Sequence, residues 1–299
     1  MRSLITGGGG FVGKWLADHL RAQGDRVVAI DQEVEITDPA ALLVALTKAA
    51  PDALYHLAAL THVGQSWEDP LRVLDVNVIG TGAVLAAARQ CGTDPRILVV
   101  SSAEVYGAVT DPALLPLDED SPSAPLTPYA ASKLAAEALA VQAFLGHGQH
   151  VITVRPFNHI GPGQSPNFAV AALAKRIVEA DRNRAPTIPV GNLSARRDFT
   201  DVRDVVRAYR LLIESGRPGS VYNVCSGRDV SIREIADGLL ELAGNALEFE
   251  TDPSLVRLVE VPVLRGDPSR LSSATGWKPE IPLEQTLADV LAYWRQHVG

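Results

Sequence analysis

Thr6-Gly7-Gly8-Gly9-Gly10-Phe11-Val12-Gly13 is the stretch that decides the fold. Ser3 to Thr6 before it is long enough for a short buried strand, and the residues from Phe11 onward read as a helix. Gly7, Gly10 and Gly13 then occupy a strand-to-helix turn, and Asp31 closes the next apolar run. A dinucleotide needs this order. Small residues let the backbone approach a pyrophosphate, the helix N-terminus faces its charge, and a carboxylate one strand later takes a ribose hydroxyl. A tight structural turn would explain the glycines alone, but not strand, helix, second strand and Asp31 in succession. The spacing is Gly-x-x-Gly-x-x-Gly rather than Gly-x-Gly-x-x-Gly.

Apolar runs of strand length recur at Arg26 to Ile30, Ala53 to Leu57, Arg96 to Val100 and Val151 to Val154. Helix-like stretches separate them, at Pro39 to Ala49, Leu71 to Arg89 and Pro128 to Phe144. This alternation implies a parallel sheet covered by helices on both faces. Beyond Arg155 the character changes, with Pro156, Pro162, Pro166, Pro186 and Pro189 punctuating a looser region around a helix at Ala169 to Ala180. Further helices are expected at Val202 to Ser215, Ser231 to Ala243 and Pro282 to His297. The expected division is a dinucleotide domain of residues 1–157 plus about 196–225, and a smaller domain of 158–195 and 226–299.

The composition narrows the classes. A chain of 299 residues with 46% hydrophobic and 21% charged residues is an ordinary globular protein of one large domain or two. A net charge of -8 with no Lys/Arg cluster argues against nucleic acid as a partner. Cys91 and Cys225 form no metal spacing or disulfide framework. No secretory segment precedes the first strand and no apolar run reads as membrane-spanning, so the expectation is a cytoplasmic protein with no membrane partner. Of the seven histidines only His147 and His150 lie close, without a third ligand, and no metal is expected.

Pro128-Tyr129-Ala-Ala-Ser-Lys133 begins a helix, and the four-residue spacing places Tyr129 and Lys133 on one face. An ammonium beside a phenol favours the phenolate, so Lys133 is expected to lower the Tyr129 pKa towards working pH and make it an acid/base for a hydroxyl/carbonyl interconversion. Six tyrosines and five lysines produce about 0.1 such pairs by chance. Ser102, in Ser101-Ser102-Ala103-Glu104-Val105-Tyr106-Gly107 after the preceding strand, can hydrogen-bond the reacting oxygen. Ser101 reads as structural, and Tyr106 as packing beside the site.

Gly7-x-x-Gly10-x-x-Gly13, His56-Leu-Ala-Ala59, Asn77, Ser102 and Tyr129-x-x-x-Lys133 together resemble the extended short-chain dehydrogenase/reductases that act on nucleotide sugars. The resemblance covers essentially the whole chain. It implies an α/β fold, a Rossmann-type doubly wound parallel sheet with a smaller C-terminal α+β substrate domain. It also implies that Gly7, Gly10, Phe11, Val12, Gly13, Asp31, Glu35, Ile36, Leu57, Ala58, Ala59, Tyr129 and Lys133 contact the cofactor, with Asn77 bracing the cleft or serving as an ordinary cap. Asp31, with no arginine following it, favours NAD(H) over NADP(H), though NADP(H) stays possible.

Arg155-Pro-Phe-Asn158-His159-Ile-Gly161-Pro-Gly163-Gln164, Arg197-Asp-Phe-Thr-Asp-Val-Arg-Asp204 and Tyr222-Asn-Val-Cys-Ser-Gly227 resemble the branch that reduces the C4 ketone of a GDP-4-dehydro-6-deoxy sugar. By that likeness Asn158 binds phosphate or sugar, Arg197 and Arg257 the diphosphate, Glu260 the ribose or guanine, and Lys175 faces the nucleotide. Glu104 stands where the 4,6-dehydratases of the family carry their C5 base, which keeps dehydration open. Against dehydration, Ala103 carries no acid, His159-Ile-Gly-Pro-Gly163 replaces the dehydratase-like segment, and Glu35-Ile36-Thr37-Asp38 leaves no room for a long cofactor-binding insert. The family further implies a homodimer formed through the helices at Leu71 to Arg89 and Pro128 to Phe144, whose apolar positions suit packing on their own sheet equally well.

Overall fold

In the computed structural model, which describes all residues except 110, 245–246, 256–260 and 299, the glycine turn joins β1 (Arg2–Thr6) to α1 (Phe11–Ala22). The chain continues through β2 (Arg26–Ile30), α2 (Pro39–Ala49), β3 (Ala53–His56), α3 (Val63–Glu68), α4 (Pro70–Leu74), a π-helical turn (Asp75–Ile79) and α5 (Gly80–Gln90). Then come β4 (Arg96–Val100), α6 (Pro128–His147), β5 (Val151–Pro156), β6 (Asn158–Ile160), α7 (Ala169–Asn183), β7 (Thr187–Val190), β8 (Arg196–Asp201) and α8 (Val202–Ser215). The last elements are β9 (Val221–Val224), β10 (Asp229–Ser231), α9 (Ile232–Ala243), β11 (Glu248–Thr251), β12 (Val263–Leu264), α10 (Ser269–Thr275) and α11 (Leu283–His297).

Six parallel strands form the main sheet in the order β2-β1-β3-β4-β5-β9. The order reverses between β1 and β3, the switch point where such sheets open a crevice beyond their strand ends. Alternate residues of each strand feed separate cores. Ile5, Tyr55 and Leu98 pack with α1 and α8 through Leu16, Leu20, Val205 and Leu212. Leu4, Leu54, Ile97 and Val99 pack on the other face with Leu42, Leu46, Val84 and Ala140. A third core joins α7, α9 and α11 through Ile177, Leu239 and Leu291.

The expected helix at Leu71 to Arg89 is interrupted by the π turn, which carries the buried Asn77. Asn77 Oδ1 accepts from Leu60 N (2.8 Å), and its Nδ2 donates to Leu60 O (3.0 Å) and Ser132 Oγ (2.9 Å). The helical run Pro70–Gln90 has 21 residues and mean hydropathy 1.5, long and apolar enough to cross a membrane, contrary to the sequence expectation. Its apolar character serves packing here: Val84, Leu85, Ala87 and Ala88 are buried with α2 and β3.

The domain boundaries also differ from the expected ones. Residues 196–201, assigned to the dinucleotide domain, form β8 and pair with β10, β12 and β6 in the smaller sheet. Leu271 and Trp277, assigned to the smaller domain, are buried in the core of the main sheet. Trp277 Nε1 donates to Asp204 O (3.0 Å), and Asp204 Oδ2 accepts from Glu280 N and Ile281 N (2.9 Å each), which fixes this segment on α8.

Candidate active site

The carboxyl ends of β1, β3, β4 and β5 open into one cavity of about 1220 Å³, closed on the far side by β6, α7 and the β7–β8 connection. Its floor is the glycine turn. Gly7 has φ +73, and a Cβ there would stand 2.7 Å from Ala58 N across the switch point. A Cβ on Gly13 would overlap the Gly7 carbonyl, and one on Gly9 the Asp31 carboxylate. Helix α1 starts at Gly10 with no side chain capping its first N–H groups. Such a side-chain-free cradle at a helix N-terminus fits a dinucleotide pyrophosphate.

Gly7, Gly10, Phe11, Val12, Gly13, Asp31, Glu35, Ile36, Leu57, Ala58 and Ala59 all line this cavity. Asn77 does not line it. It stands behind the wall and holds Leu60, which does. Arg72 was not anticipated. It arrives from α4, 41 positions after Asp31, to line the same cavity, and its charge adds a lesser share to a lowering of the Glu35 pKa that comes first from the Thr37 hydrogen bonds. Its Nη1 also donates to Asp75 Oδ2 (2.9 Å). No arginine closely follows Asp31 in sequence; Arg72 reaches the same cavity from a later element.

At the centre, α6 is launched by Thr127, whose hydroxyl accepts from Ala130 N (3.0 Å), with Pro128 in the first turn. Tyr129 and Lys133 are buried on one face of α6, facing Ser102 and Glu104 beyond β4, and all four line the cavity. The Tyr129 phenol is pushed up to about 12, first by burial and then by the Glu104 carboxylate, against the opposing Ser102 hydroxyl. This reverses the expected lowering by Lys133. The Lys133 ammonium is committed to Val100 O (2.7 Å), and burial brings Lys133 down to about 8 while Glu137 works to raise it. Tyr129 is therefore protonated at neutral pH, the form of a proton donor.

Beside Tyr129, Tyr106 is buried with its hydroxyl donating to Asn223 Oδ1 (2.7 Å) and the Arg155 guanidinium 4.8 Å above its ring. It packs behind the site, as expected, and is not a lining residue. His159 stacks on Phe11 with ring centroids 6.3 Å apart, and Trp15 Nε1 donates to Pro162 O (3.1 Å). These contacts tie α1 to the smaller domain.

On that side Asn158 and Arg197 line the cavity. Arg197 is held by its Nη1 donating to Arg196 O (2.8 Å), and the neighbouring Asp198 accepts from Ser226 N (2.7 Å), Ser226 Oγ (2.6 Å) and Gly227 N (2.9 Å). Lys175 is corrected. It pairs with Glu179 (3.5 Å) and lies 5.8 Å from the Trp294 ring, outside the cavity. On α7 the lining residues are Ala169, Val170, Ala172, Leu173 and Arg176; Arg176 continues the i, i+3, i+4, i+7 stripe of Ala169, Ala172 and Leu173, and Lys175 is one position out of phase with it. Arg176 is the cation that faces in. Arg257 and Glu260 lie outside the described residues. Among the described residues no three His, Cys, Asp or Glu side chains gather as a metal site.

The comparisons agree with this geometry. Residues 32–290 match the family model described as GDP-mannose 4,6 dehydratase. The chain is 40% identical to GDP-6-deoxy-D-mannose reductase of Pseudomonas aeruginosa over 99% of its own length and 98% of the relative's. It is 32% identical to GDP-6-deoxy-D-talose 4-dehydrogenase of Aggregatibacter actinomycetemcomitans over 92% of each. The solved structure of RMD from Pseudomonas aeruginosa in complex with NADPH superposes with a TM-score of 0.92 at 39% identity, covering 99% of this chain and 100% of that one. The protein is an oxidoreductase on a nicotinamide-binding Rossmann-like fold. The chain belongs to the GDP-mannose 4,6-dehydratase family, among the extended short-chain dehydrogenase/reductases.

Proposed function

We propose that the enzyme reduces the C4 ketone of GDP-4-dehydro-6-deoxy-D-mannose to the alcohol, giving GDP-D-rhamnose. The observation that carries this reading is the position of Tyr129: one cavity places it between the glycine cradle and the wall bearing Asn158, Arg176 and Arg197. The likeness to the Pseudomonas aeruginosa reductase over the whole chain supports the substrate.

The cradle of Gly7, Gly10 and Gly13 would hold the dinucleotide pyrophosphate, with Asp31 on the adenosine ribose and Lys133 on the nicotinamide ribose. When bound, the reduced nicotinamide supplies a hydride. Tyr129, protonated at neutral pH, gives its proton to the C4 oxygen as that oxygen takes the carbonyl electron pair. Ser102 donates a hydrogen bond to the same oxygen, and the Lys133 ammonium stabilises the phenolate left on Tyr129. Arg197 and Arg176 offer cationic forks to the diphosphate. NADH is the favoured donor because Asp31 repels a 2′-phosphate, and Arg72 in the same cavity lets NADPH serve as the alternative.

The assay is loss of nicotinamide absorbance with purified enzyme, the 4-keto sugar nucleotide and NADH. No oxidation of NADH or NADPH, together with conversion of GDP-mannose itself, would reject the reductase. That outcome is the second reading, a 4,6-dehydratase or C4 epimerase recycling its own NAD, and Glu104 lining the cavity beside Tyr129 favours keeping it in the assay. NMR of the product distinguishes GDP-D-rhamnose from its C4 epimer, GDP-6-deoxy-D-talose.

The reading extends to assembly. Leu71 and Ile79, on α4 and the π turn, and Val141 and Leu145, on α6, are exposed, with Leu145 at 74% and Leu71 at 76%. An apolar surface spread over adjacent helices fits a homodimer interface, working in the cytoplasm on a soluble sugar nucleotide.

A further inference from the structure

Three successive turns of α6 grip three successive residues of the β4 end. Tyr129 faces Ser102, Lys133 Nζ donates to Val100 O (2.7 Å), and Glu137 Oε1 accepts from Ser101 Oγ. The residues are four apart, so one helix face carries all three. Glu137 is buried, as is its partner Arg155 on β5, which donates from Nε to Oε1 (2.9 Å) and from Nη2 to Oε2 (2.8 Å). Arg155 is fixed in turn by Tyr106 below its plane and by Nη1 donating to Glu119 O (3.3 Å).

A fully buried carboxylate on the catalytic face of α6 needs a reason, because an ion pair removed from water gains little stability over apolar packing. We propose that Glu137 is a positioning residue of the active site: it clamps the end of β4 so that Ser102 meets Tyr129, and its negative charge keeps Lys133 an ammonium. The proposal rests on Ser102, Tyr129 and Lys133 being the catalytic set.

The surroundings of Lys133 leave this task to Glu137, because the Glu104 carboxylate in the same cavity acts on Tyr129 instead. From β3 comes His56, kept neutral by burial, and from β4 come the Val100 carbonyl and the two serines. Tyr129 is protonated on α6 itself, and Arg155 on β5 is cationic and already engaged. Glu137 is the carboxylate that raises Lys133, opposing a burial that brings the amine down to about 8. Without that charge the amine would hold its proton less firmly and support the Tyr129 phenolate over a narrower pH range.

The test reads Lys133 directly. The chain has five lysines, so ¹³Cε-lysine NMR of the enzyme without substrate resolves each titration, with Lys133 assigned by Lys133→Arg. Glu137→Gln should lower the Lys133 midpoint by about one pH unit and move the alkaline limb of kcat down equally. Because the neutral amide would leave Arg155 buried without its counter-charge, the double variant Glu137→Met/Arg155→Met removes the pair as a unit and, losing a cation along with the carboxylate, should lower the midpoint by less than Glu137→Gln does. Ser101→Ala should reduce kcat by loosening the clamp, with the Lys133 midpoint unchanged. A midpoint unmoved in both Glu137 variants, or moved as far by Ser101→Ala, overturns the proposal. Because the titration needs no sugar nucleotide, it fails or succeeds separately from the reductase assignment.

Discussion

A phenol gives a proton only while it holds one, and burial ensures that Tyr129 holds its proton well past neutral pH. Tyr129→Phe should therefore lower kcat by about 10²–10⁴-fold while NADH still binds, read by the fluorescence of the bound dinucleotide. Retained turnover would remove Tyr129 from the role. Burial acts just as strongly on His56. Its Nδ1 lies 2.8 Å from Thr6 Oγ1 and its Nε2 lies 2.9 Å from Thr81 Oγ1, whose hydroxyl donates to Asn77 O (2.6 Å). Thr81 thus accepts from Nε2–H, and Nδ1 accepts from Thr6. The imidazole is held neutral, with its pKa pushed down to about 3 from the ordinary 6.5. Between those values the unfolded chain binds a proton that the folded one refuses. The contribution is fully present above pH 6.5 and is lost as pH falls towards 3, about 2 kcal/mol by pH 5. Denaturant melts from pH 4 to 7 should show a dependence on pH shallower by about one proton in His56→Asn, and an unchanged slope would refute this. The glycines, Asp31, Ser102, Tyr129 and Lys133 were legible because their spacing carries their chemistry. Arg72 and Glu137 were not: the first depends on which element packs beside β2, the second on burial.

Elements decide which residues of a stretch reach the cavity. The strand and helix periods placed most elements within a few residues, and β2, β4, α2 and α8 at their observed limits. What the periods did not carry was helix phase and local widening. Lys175 and Arg176 are adjacent cations, and only the packing of α7 on α9 and α11 decides that Arg176 faces the cavity. The π turn between α4 and α5 likewise leaves no mark in the apolar pattern, yet it turns Asn77 towards Leu60. Helix α1 packs closely on its own turn. A methyl on Gly13 must displace the Gly7 carbonyl, and Gly8 Cα is 2.8 Å from it. Gly13→Ala should therefore weaken NADH binding at least about tenfold and lower the melting temperature, by fluorescence titration and calorimetry. Gly82→Ala is the control: its Cβ would meet only Leu139, at 3.6 Å, and alanine favours a helix interior. Unimpaired NADH binding in Gly13→Ala would show that the turn can give way.

At the scale of the whole molecule, the open question is what covers the apolar residues of α4, the π turn and α6. If they form the homodimer proposed above, sedimentation equilibrium should find a dimer, and Ile79→Lys with Leu145→Glu should shift it to monomers without unfolding. A monomeric wild type would sink the proposal. The order of strand and helix signals made the doubly wound sheet legible, but not how the chain shares itself between that sheet and the smaller core. After β5 it enters the smaller domain through β6, α7, β7 and β8, and returns with α8 and β9. It crosses again for β10 and α9, returns with Leu271 and Trp277, and ends in the smaller core with α11. For anyone wishing to graft another sugar specificity onto this cofactor site, the exchangeable unit is therefore not one cassette. Three separate segments must be moved together, each with its own seam to the host.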